Sequence, residues 1–278
     1  MTETPDAVTD RPVVTGLYVP GDRPDRFDKA VATGAHLVIL DLEDAVAEAQ
    51  REFARESVVA WLRAAEVGST VIQVRVNAGE PRDLEALAGV DARCVVRVPK
   101  VETLDDVDAV ASVVAGHPIT ALFETARGVE NAAVVAQHPA VTRLALGESD
   151  LASDLGTAAP AAMDYARLKV LFAARAAGLG APMLSAYPRI RDLDGLRRDT
   201  ERGRDLGWLG RTAIHPSQLA VISEVFRPAA ADTEWAREVM AALASGGVAT
   251  LANGDMVDGA MLGRARRIVA LAEALERT

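Results

Sequence analysis

Short apolar runs recur along the chain and alternate with longer segments whose apolar positions fall at helical spacing. The first run covers 16–20 and is followed by a helical segment over 23–33. Runs at 37–43, 70–77, 94–99 and 119–124 follow, each trailed by a helical segment: 47–65, a short one near Asp83, 103–114 and 128–137. Three further pairs complete the pattern: 144–148 with 161–177, 182–187 with 193–206, and 208–214 with 216–225. The runs are β-branched and continuously apolar, as parallel strands covered on both faces are. Strict strand-then-helix alternation predicts an α/β fold with a parallel sheet. Eight such units by residue 226 predict a TIM (β/α)8 barrel over residues 13–231. A doubly wound open sheet is the alternative, but no G-x-G-x-x-G follows the first run and no Walker A sequence is present.

Two segments fall outside this repeat. Residues 1–12 are polar, contain proline and read as a loose arm. Residues 232–278 exceed the barrel, with a helix over 235–245, turns at Gly246-Gly247 and Asn253-Gly254, and a final amphipathic helix. This C-terminal helical extension is expected to act as a lid or to dock on a neighbouring subunit, with Gly259 as hinge or turn.

Polar residues gather where the apolar runs end, which in a TIM barrel is the face that carries chemistry. They are Asp22 and Arg23, then Asp41, Glu43 and Asp44, then Arg75 and Asn77, then Lys100 and Glu102. Glu124 and Arg127, Glu148 and Asp150, and His215 complete the set. The starts of the runs show nothing comparable, and this asymmetry points to an enzyme.

Composition narrows the class. A formal net charge of −10 over 278 residues argues against nucleic acid or membrane as the main partner. The one cysteine, Cys94, lies inside an apolar run and reads as a small buried hydrophobe, so neither a disulfide nor a cysteine metal site is expected. No apolar run reaches membrane-spanning length, and the acidic N-terminus lacks an apolar signal region. A cytoplasmic location is the simplest expectation. Only Lys29, Lys100 and Lys169 are lysines among 30 basic residues, and two of them adjoin the motifs below.

Glu124 and Asp150 close neighbouring runs, so they are candidate ligands for a hard divalent cation. Two carboxylates capping helix N-termini are the equal alternative from spacing alone. Arg75 interrupts an apolar run with Asn77 on the same face. A buried arginine needs an anionic partner. A substrate carboxylate or thioester oxyanion would serve, and so would Glu43 or Glu124 as a structural ion pair. His215 precedes Pro216 and is expected to organise that turn.

The stretches Val19-Pro-Gly-Asp-Arg-Pro-Asp-Arg-Phe27, Leu40-Asp-Leu-Glu-Asp-Ala-Val46, Val74-Arg-Val-Asn77, Val98-Pro-Lys100 and Glu124-Thr-Ala-Arg-Gly128 occur in this order. Gly147-Glu-Ser-Asp-Leu-Ala-Ser-Asp-Leu-Gly156, Asp192-Leu-Asp-Gly-Leu196, Ile214-His-Pro-Ser-Gln218 and Gly254-Asp-Met-Val-Asp258 follow. Together they resemble the citrate lyase β-subunit-like family of the HpcH/HpaI aldolase superfamily, which includes malyl-CoA and citramalyl-CoA lyases. The resemblance covers nearly the whole chain. It implies a TIM barrel, Mg²⁺ (Mn²⁺ as an alternative), acyl-CoA and keto-acid ligands, and a homotrimer or dimer of trimers with lid exchange.

The resemblance also assigns roles. It favours Glu124 and Asp150 as metal ligands and Arg75 as the stabiliser of an oxyanion or enolate. Glu43 would hold Arg75 or a metal-bound water. Tyr18, Arg23 and Lys29 match positions that bind the CoA phosphates and nucleotide, although Lys29 alone is equally a solvated helix residue. Gly147, Glu148 and Ser149 are assigned to substrate. Asp258 matches a lid aspartate that exchanges a proton with the acetyl-CoA enolate in a neighbouring subunit, where the residues alone suggest an ordinary turn. Three positions depart from the family: Arg189 stands where an aspartate is frequent, Arg211 where a lysine is, and Gly259 where a proline is. Arg189 is thus the first place to look for specificity.

The function expected is a Mg²⁺-dependent carbon–carbon lyase acting on malyl-, citramalyl-, citryl- or 3-hydroxy-3-methylglutaryl-CoA. A metal aldolase acting on free keto acids and a non-catalytic or complex-bound β-like subunit are the alternatives.

Overall fold

The computed structural model describes residues 12–90, 94–244, 246–251 and 253–276. All of the expected N-terminal arm but Pro12 lies outside them, as does Ser245 at the end of the expected helix 235–245. The barrel part runs β1 (Thr15–Pro20), α1 (Phe27–Val31), β2 (Leu37–Asp41), α2 (Arg51–Ala64), β3 (Val71–Arg75) and α3 (Pro81–Ala88). It continues with β4 (Cys94–Val98), α4 (Leu104–Val113), β5 (Ile119–Phe123), α5 (Ala126–Val135), β6 (Val141–Leu146), α6 (Glu148–Leu155) and α7 (Pro160–Ala176). Then come α8 (Leu193–Asp205), β7 (Arg211–Ala213) and α9 (Leu219–Phe226). The last elements are α10 (Ala230–Ala242), β8 (Ala249–Thr250), β9 (Met256–Val257) and α11 (Gly259–Glu276).

Seven strands form one parallel sheet in the order β6-β5-β4-β3-β2-β1-β7. Its two edges meet the same short segment: Ala145 of β6 bridges Met183, and Leu184 bridges Arg211 of β7. Residues 183–184 therefore occupy the place of the strand expected over 182–187, and the sheet curls into a TIM-like ring. The full strand is absent for identifiable reasons. Pro182 has no N–H to give a ladder. Side chains take the next carbonyls: Arg211 Nε donates to Ser185 O (3.0 Å) and Gln218 Nε2 to Tyr187 O (2.9 Å). The strand expected over 208–214 likewise contracts to three residues, with Gly210 just before it at φ 81°. A Cβ there would lie 2.5 Å from Val13 O, so only glycine lets β1 and β7 approach.

Alternation along the strands sets the layers. Val38 and Leu40 face the main core shared with the helices, whereas Leu37 and Ile39 join an inner cluster with Val13 and Met183. Full burial of each such aliphatic side chain stabilises the fold by about 1.5–3 kcal/mol. The same alternation turns Tyr18, Gln73, Arg75, Arg97, Thr120 and Leu122 inward, because their strand neighbours belong to the outer core. Helix starts are capped locally: Thr103 with Asp106 forms a capping box, and Thr125 and Asp192 accept from the glycine N–H three residues on.

α10 and α11 pack on each other around Ala236, Val239, Leu243, Leu251, Val257 and Ala265, with β8 and β9 as a small antiparallel hairpin between them. The last turn of α11 returns to the barrel. Leu275 joins the main core, and Ala274 O lies 3.3 Å from His36 Nε2, just before β2. That contact is on the face opposite the strand C-termini. No helix among the described residues is long and apolar enough to cross a membrane.

Candidate active site

The register between β2 and β3 places Asp41 beside Arg75, the last residues of their strands. Arg75 Nε and Nη2 donate to the two Asp41 oxygens at 2.7 and 2.6 Å, a fork-to-fork pair. Asp41 is itself fixed by the N–H groups of Glu43 (3.0 Å) and Ala45 (3.2 Å). Arg75 Nη1 reaches Asp44 Oδ2 (2.9 Å) and lies 3.1 Å from Glu43 Oε2. Burial works against the Arg75 charge, but the Asp41 pair overrides it and holds the guanidinium well above its usual range. The main structural partner of Arg75 is thus Asp41, where the sequence suggested Glu43 or Glu124.

Glu43 is 6% exposed. Its Oε1 accepts from Lys100 Nζ (2.9 Å), and its buried Oε2 has no hydrogen bond, since the approach to Arg75 lacks the geometry for one. Burial raises its pKa, and the Lys100 hydrogen bond opposes the rise. Lys100 has φ 54°, the only positive value among the described non-glycine residues. That conformation costs energy in an ordinary side chain and persists where the surroundings fix it. Here it aims the Lys100 N–H at Glu124 Oε2 (2.9 Å).

Glu124 follows β5 and is 3% exposed. Burial, then the charges of Glu43 and Asp150, push its pKa up to about 7 against the opposing pull of Arg75 and the Lys100 N–H. Gly147 gives Glu124 its space, because a Cβ there would lie 2.6 Å from both Cγ and Oε1 of Glu124. Asp150 sits in the exposed first turn of α6, a helix the sequence pattern did not reveal, rather than at the end of β6. Crowded carboxylates of raised pKa and an orphaned Glu43 oxygen are what a bound cation would relieve. No set of three or more His, Cys, Asp or Glu among the described residues is placed to hold a metal. A cation on Glu124 and Asp150 would therefore draw the rest of its coordination from water and substrate, as Mg²⁺ does.

Seven of the expected residues line one cavity of about 320 Å³: Tyr18, Arg75, Glu124, Gly147, Glu148, Ser149 and Asp150. Arg23 and Lys29 line an adjoining groove of about 650 Å³, which shares Tyr18 and Ile214 with the cavity. Arg26 and His215 join that groove. Arg23 is paired with Asp25 (3.0 Å), whereas Arg26 and Lys29 carry no ion pair with a described residue. The groove is thus net basic and open to an anion. His215 Nδ1 accepts from Ser217 N (3.1 Å), the turn-organising role expected of it.

Other expectations change. Both Glu148 oxygens accept from buried Arg167, at 2.9 and 2.7 Å, which fixes this residue at the α6 end of the cavity that it lines. Asn77 Nδ2 donates to Leu42 O (2.7 Å) and Asp83 Oδ2 (2.8 Å), a structural staple completed by Arg55 on Asp83. Arg189 is 76% exposed, stands 3.8 Å from Asp192 and lines neither the cavity nor the groove. Arg211 is buried in an ion pair with Asp199. Asp258 is exposed and caps α11 through Ala260 N (2.9 Å). Among the described residues, no hydrogen bond or ion pair joins it to the cavity.

Arg97 is a further residue of the site, outside the expected set. It is 3% exposed, lines the cavity, and its Cζ stands 5.7 Å from the Tyr18 ring centroid, with Arg75 Cζ at 5.2 Å. The signal was present, since Arg97 interrupts an apolar run just as Arg75 does.

Comparison with known proteins identifies the family. The profile of the HpcH/HpaI aldolase/citrate lyase family matches residues 14–216, and that of a C–C bond lyase of the TIM-barrel fold matches 172–274. A (3S)-malyl-CoA thioesterase of Cereibacter sphaeroides is 38% identical over 271 residues, covering 93% of this chain and 94% of that protein. A citrate lyase subunit beta-like protein of Mycobacterium tuberculosis is 37% identical, covering 91% and 93%. The crystal structure of CitE from M. tuberculosis with magnesium, acetoacetate and coenzyme A superposes with a TM-score of 0.77 at 34% identity, covering 94% of this chain and 98% of that one.

Proposed function

Because the chain belongs to the HpcH/HpaI aldolase/citrate lyase family, we propose that it is a Mg²⁺-dependent carbon–carbon lyase. Its substrate would be a 3-hydroxyacyl-CoA, cleaved to acetyl-CoA and a keto acid. The observation that carries this reading is the convergence of Glu124, Asp150 and Arg75 on one cavity that opens into a basic groove. Magnesium and coenzyme A occupy the related M. tuberculosis CitE structure, and the donor set here fits both.

The groove residues Arg26 and Lys29, with Arg23, suit the CoA phosphates. Tyr18 stands where groove and cavity meet. Glu124 and Asp150 would hold Mg²⁺, which would supply Lewis acidity toward the substrate hydroxyl and its neighbouring carboxylate. Glu43, bound by Lys100 and 3.1 Å from Arg75, does not line the cavity and would hold Arg75 or a water through which the hydroxyl proton leaves. As the carbon–carbon bond breaks, charge develops on the thioester oxygen, and Arg75, locked by Asp41, is the preorganised donor for it. The acetyl-CoA enolate then needs a proton on carbon, which Asp258 would deliver. Because Asp258 caps α11 in its own chain, delivery requires a second subunit or a rearranged C-terminal segment. Phe172 (72% exposed) and Leu168 lie one turn apart on α7 and support self-association.

The position of Asp258 also favours a second reading, thioester hydrolysis, the activity named for the C. sphaeroides relative. Hydrolysis needs an activated water in the same cavity and no enolate proton donor. Malyl-CoA separates the two. With Mg²⁺, the lyase gives acetyl-CoA and glyoxylate, whereas the thioesterase gives malate and free CoA. Absence of acetyl-CoA from malyl-, citramalyl-, citryl- and 3-hydroxy-3-methylglutaryl-CoA alike would overturn the lyase reading.

A further inference from the structure

Five arginines are buried among the described residues: Arg55, Arg75, Arg97, Arg167 and Arg211. Four have a carboxylate partner, namely Asp83, Asp41, Glu148 and Asp199 respectively. Arg97 has no carboxylate within 4 Å among the described residues. Its Nη1 donates to Gln73 Oε1 at 3.3 Å, and its Nε is buried with no hydrogen bond. Arg97 also acts on a like charge, because burial and then the Arg97 charge push the pKa of Arg143 down to about 10. An unneutralised guanidinium inside a barrel is costly, and TIM interiors are ordinarily filled with branched aliphatics. The Tyr18 ring face offsets only part of that cost.

We propose that Arg97 binds a carboxylate of the acyl substrate, the one that the metal does not take, and so selects a keto-acid fragment with a second carboxylate. This rests on the reading above, in which a keto acid enters the cavity. Space decides the side of approach. Below Arg97, the void lined by Gln73, Thr120 and Arg143 is about 20 Å³, the scale of one water, and Arg97 does not line it. Above, Arg97 lines the 320 Å³ cavity together with Arg75, Glu124 and Asp150. A dicarboxylic keto acid can place one carboxylate and its keto oxygen on the cation and the other on Arg97. A monocarboxylic acid leaves Arg97 unpaired. Among the candidate acyl groups, this favours one that releases oxaloacetate over those that release pyruvate or glyoxylate.

The test is calorimetric binding of freshly dissolved oxaloacetate and of pyruvate, which differ by one carboxylate, to the full chain with Mg²⁺. Wild type should bind oxaloacetate roughly 10- to 100-fold more tightly, the range of a charge-assisted hydrogen bond. Arg97→Met should bring the ratio close to one while pyruvate affinity holds within about threefold. Arg97→Lys should retain an intermediate preference. Equal binding of the two acids by wild type overturns the assignment without any variant having to fold. So does a parallel loss of both acids in Arg97→Met. Binding of neither acid to wild type would contradict the proposed function as well, so the two failures are distinguishable.

Discussion

Gly147 and Glu124 compete for the same space: a side chain on Gly147 would put its Cβ 2.6 Å from Cγ and Oε1 of Glu124. The glycine lies just before α6 and the glutamate just after β5. The room for one carboxylate is therefore set by the absence of a side chain on the next loop. Gly147→Ala should rotate Glu124 away from Asp150. Mg²⁺ affinity, followed by calorimetry, should fall by about 10- to 100-fold, the range seen when the support of a ligand is disturbed. The melting temperature should move little, because the displaced side chain borders a cavity.

Arg75 depends on Asp41 for its orientation, and the pair are register partners across β2 and β3. Arg75→Lys keeps the charge but loses the fork. Turnover should drop by roughly 10²- to 10³-fold, the size of losing one preorganised oxyanion donor. Keto-acid affinity should change much less. Steady-state kinetics beside calorimetry would separate the two effects.

Asp83 is 1% exposed and accepts from Arg55 Nε, Asn77 N and Asn77 Nδ2. Asp83→Ala strands a buried guanidinium and two N–H donors away from the cavity. Urea unfolding should show a loss of about 3–5 kcal/mol, as when a buried pair loses one partner. Asp83→Asn should recover part of it.

Burial pushes the Cys94 thiol up from 9.0 to about 12. The fold thus favours the neutral thiol. This contribution to stability is complete below pH 9 and is lost as pH rises toward 12. At pH 8 the native protein should not react with a thiol reagent such as dithionitrobenzoate. In guanidinium it should release one equivalent for its single cysteine. Rapid reaction of the native chain would contradict the burial.

Much of the site was legible in the sequence because a charged residue closing an apolar run has few structural excuses. Glu124, Asp150, Arg75 and Tyr18 do meet in one cavity, and Arg23 and Lys29 in the groove beside it. What stayed hidden needed geometry between distant residues. The pairing of Arg75 with Asp41 follows from strand register, which one sequence does not encode visibly. The 182–187 run has strand composition, but side chains of Arg211 and Gln218 claim the carbonyls of Ser185 and Tyr187, so sheet pairing stops after Leu184. Arg97 carries the same signal as Arg75, an arginine within an apolar run, but it lies inside the run and Lys100 is the charge at its end. Arg189 adds a cation next to a conspicuous motif yet lies outside the cavity, a matter of side-chain direction that spacing does not give.

The central claim is carbon–carbon cleavage through an enolate, and the product formed in D₂O tests it most directly. The protein with Mg²⁺ and the acyl-CoA that turns over fastest should release acetyl-CoA with one deuterium on its methyl group, together with an equimolar keto acid. Chelation of the metal should stop both. Free CoA with an intact hydroxy acid, and no deuterated acetyl-CoA, would contradict the claim.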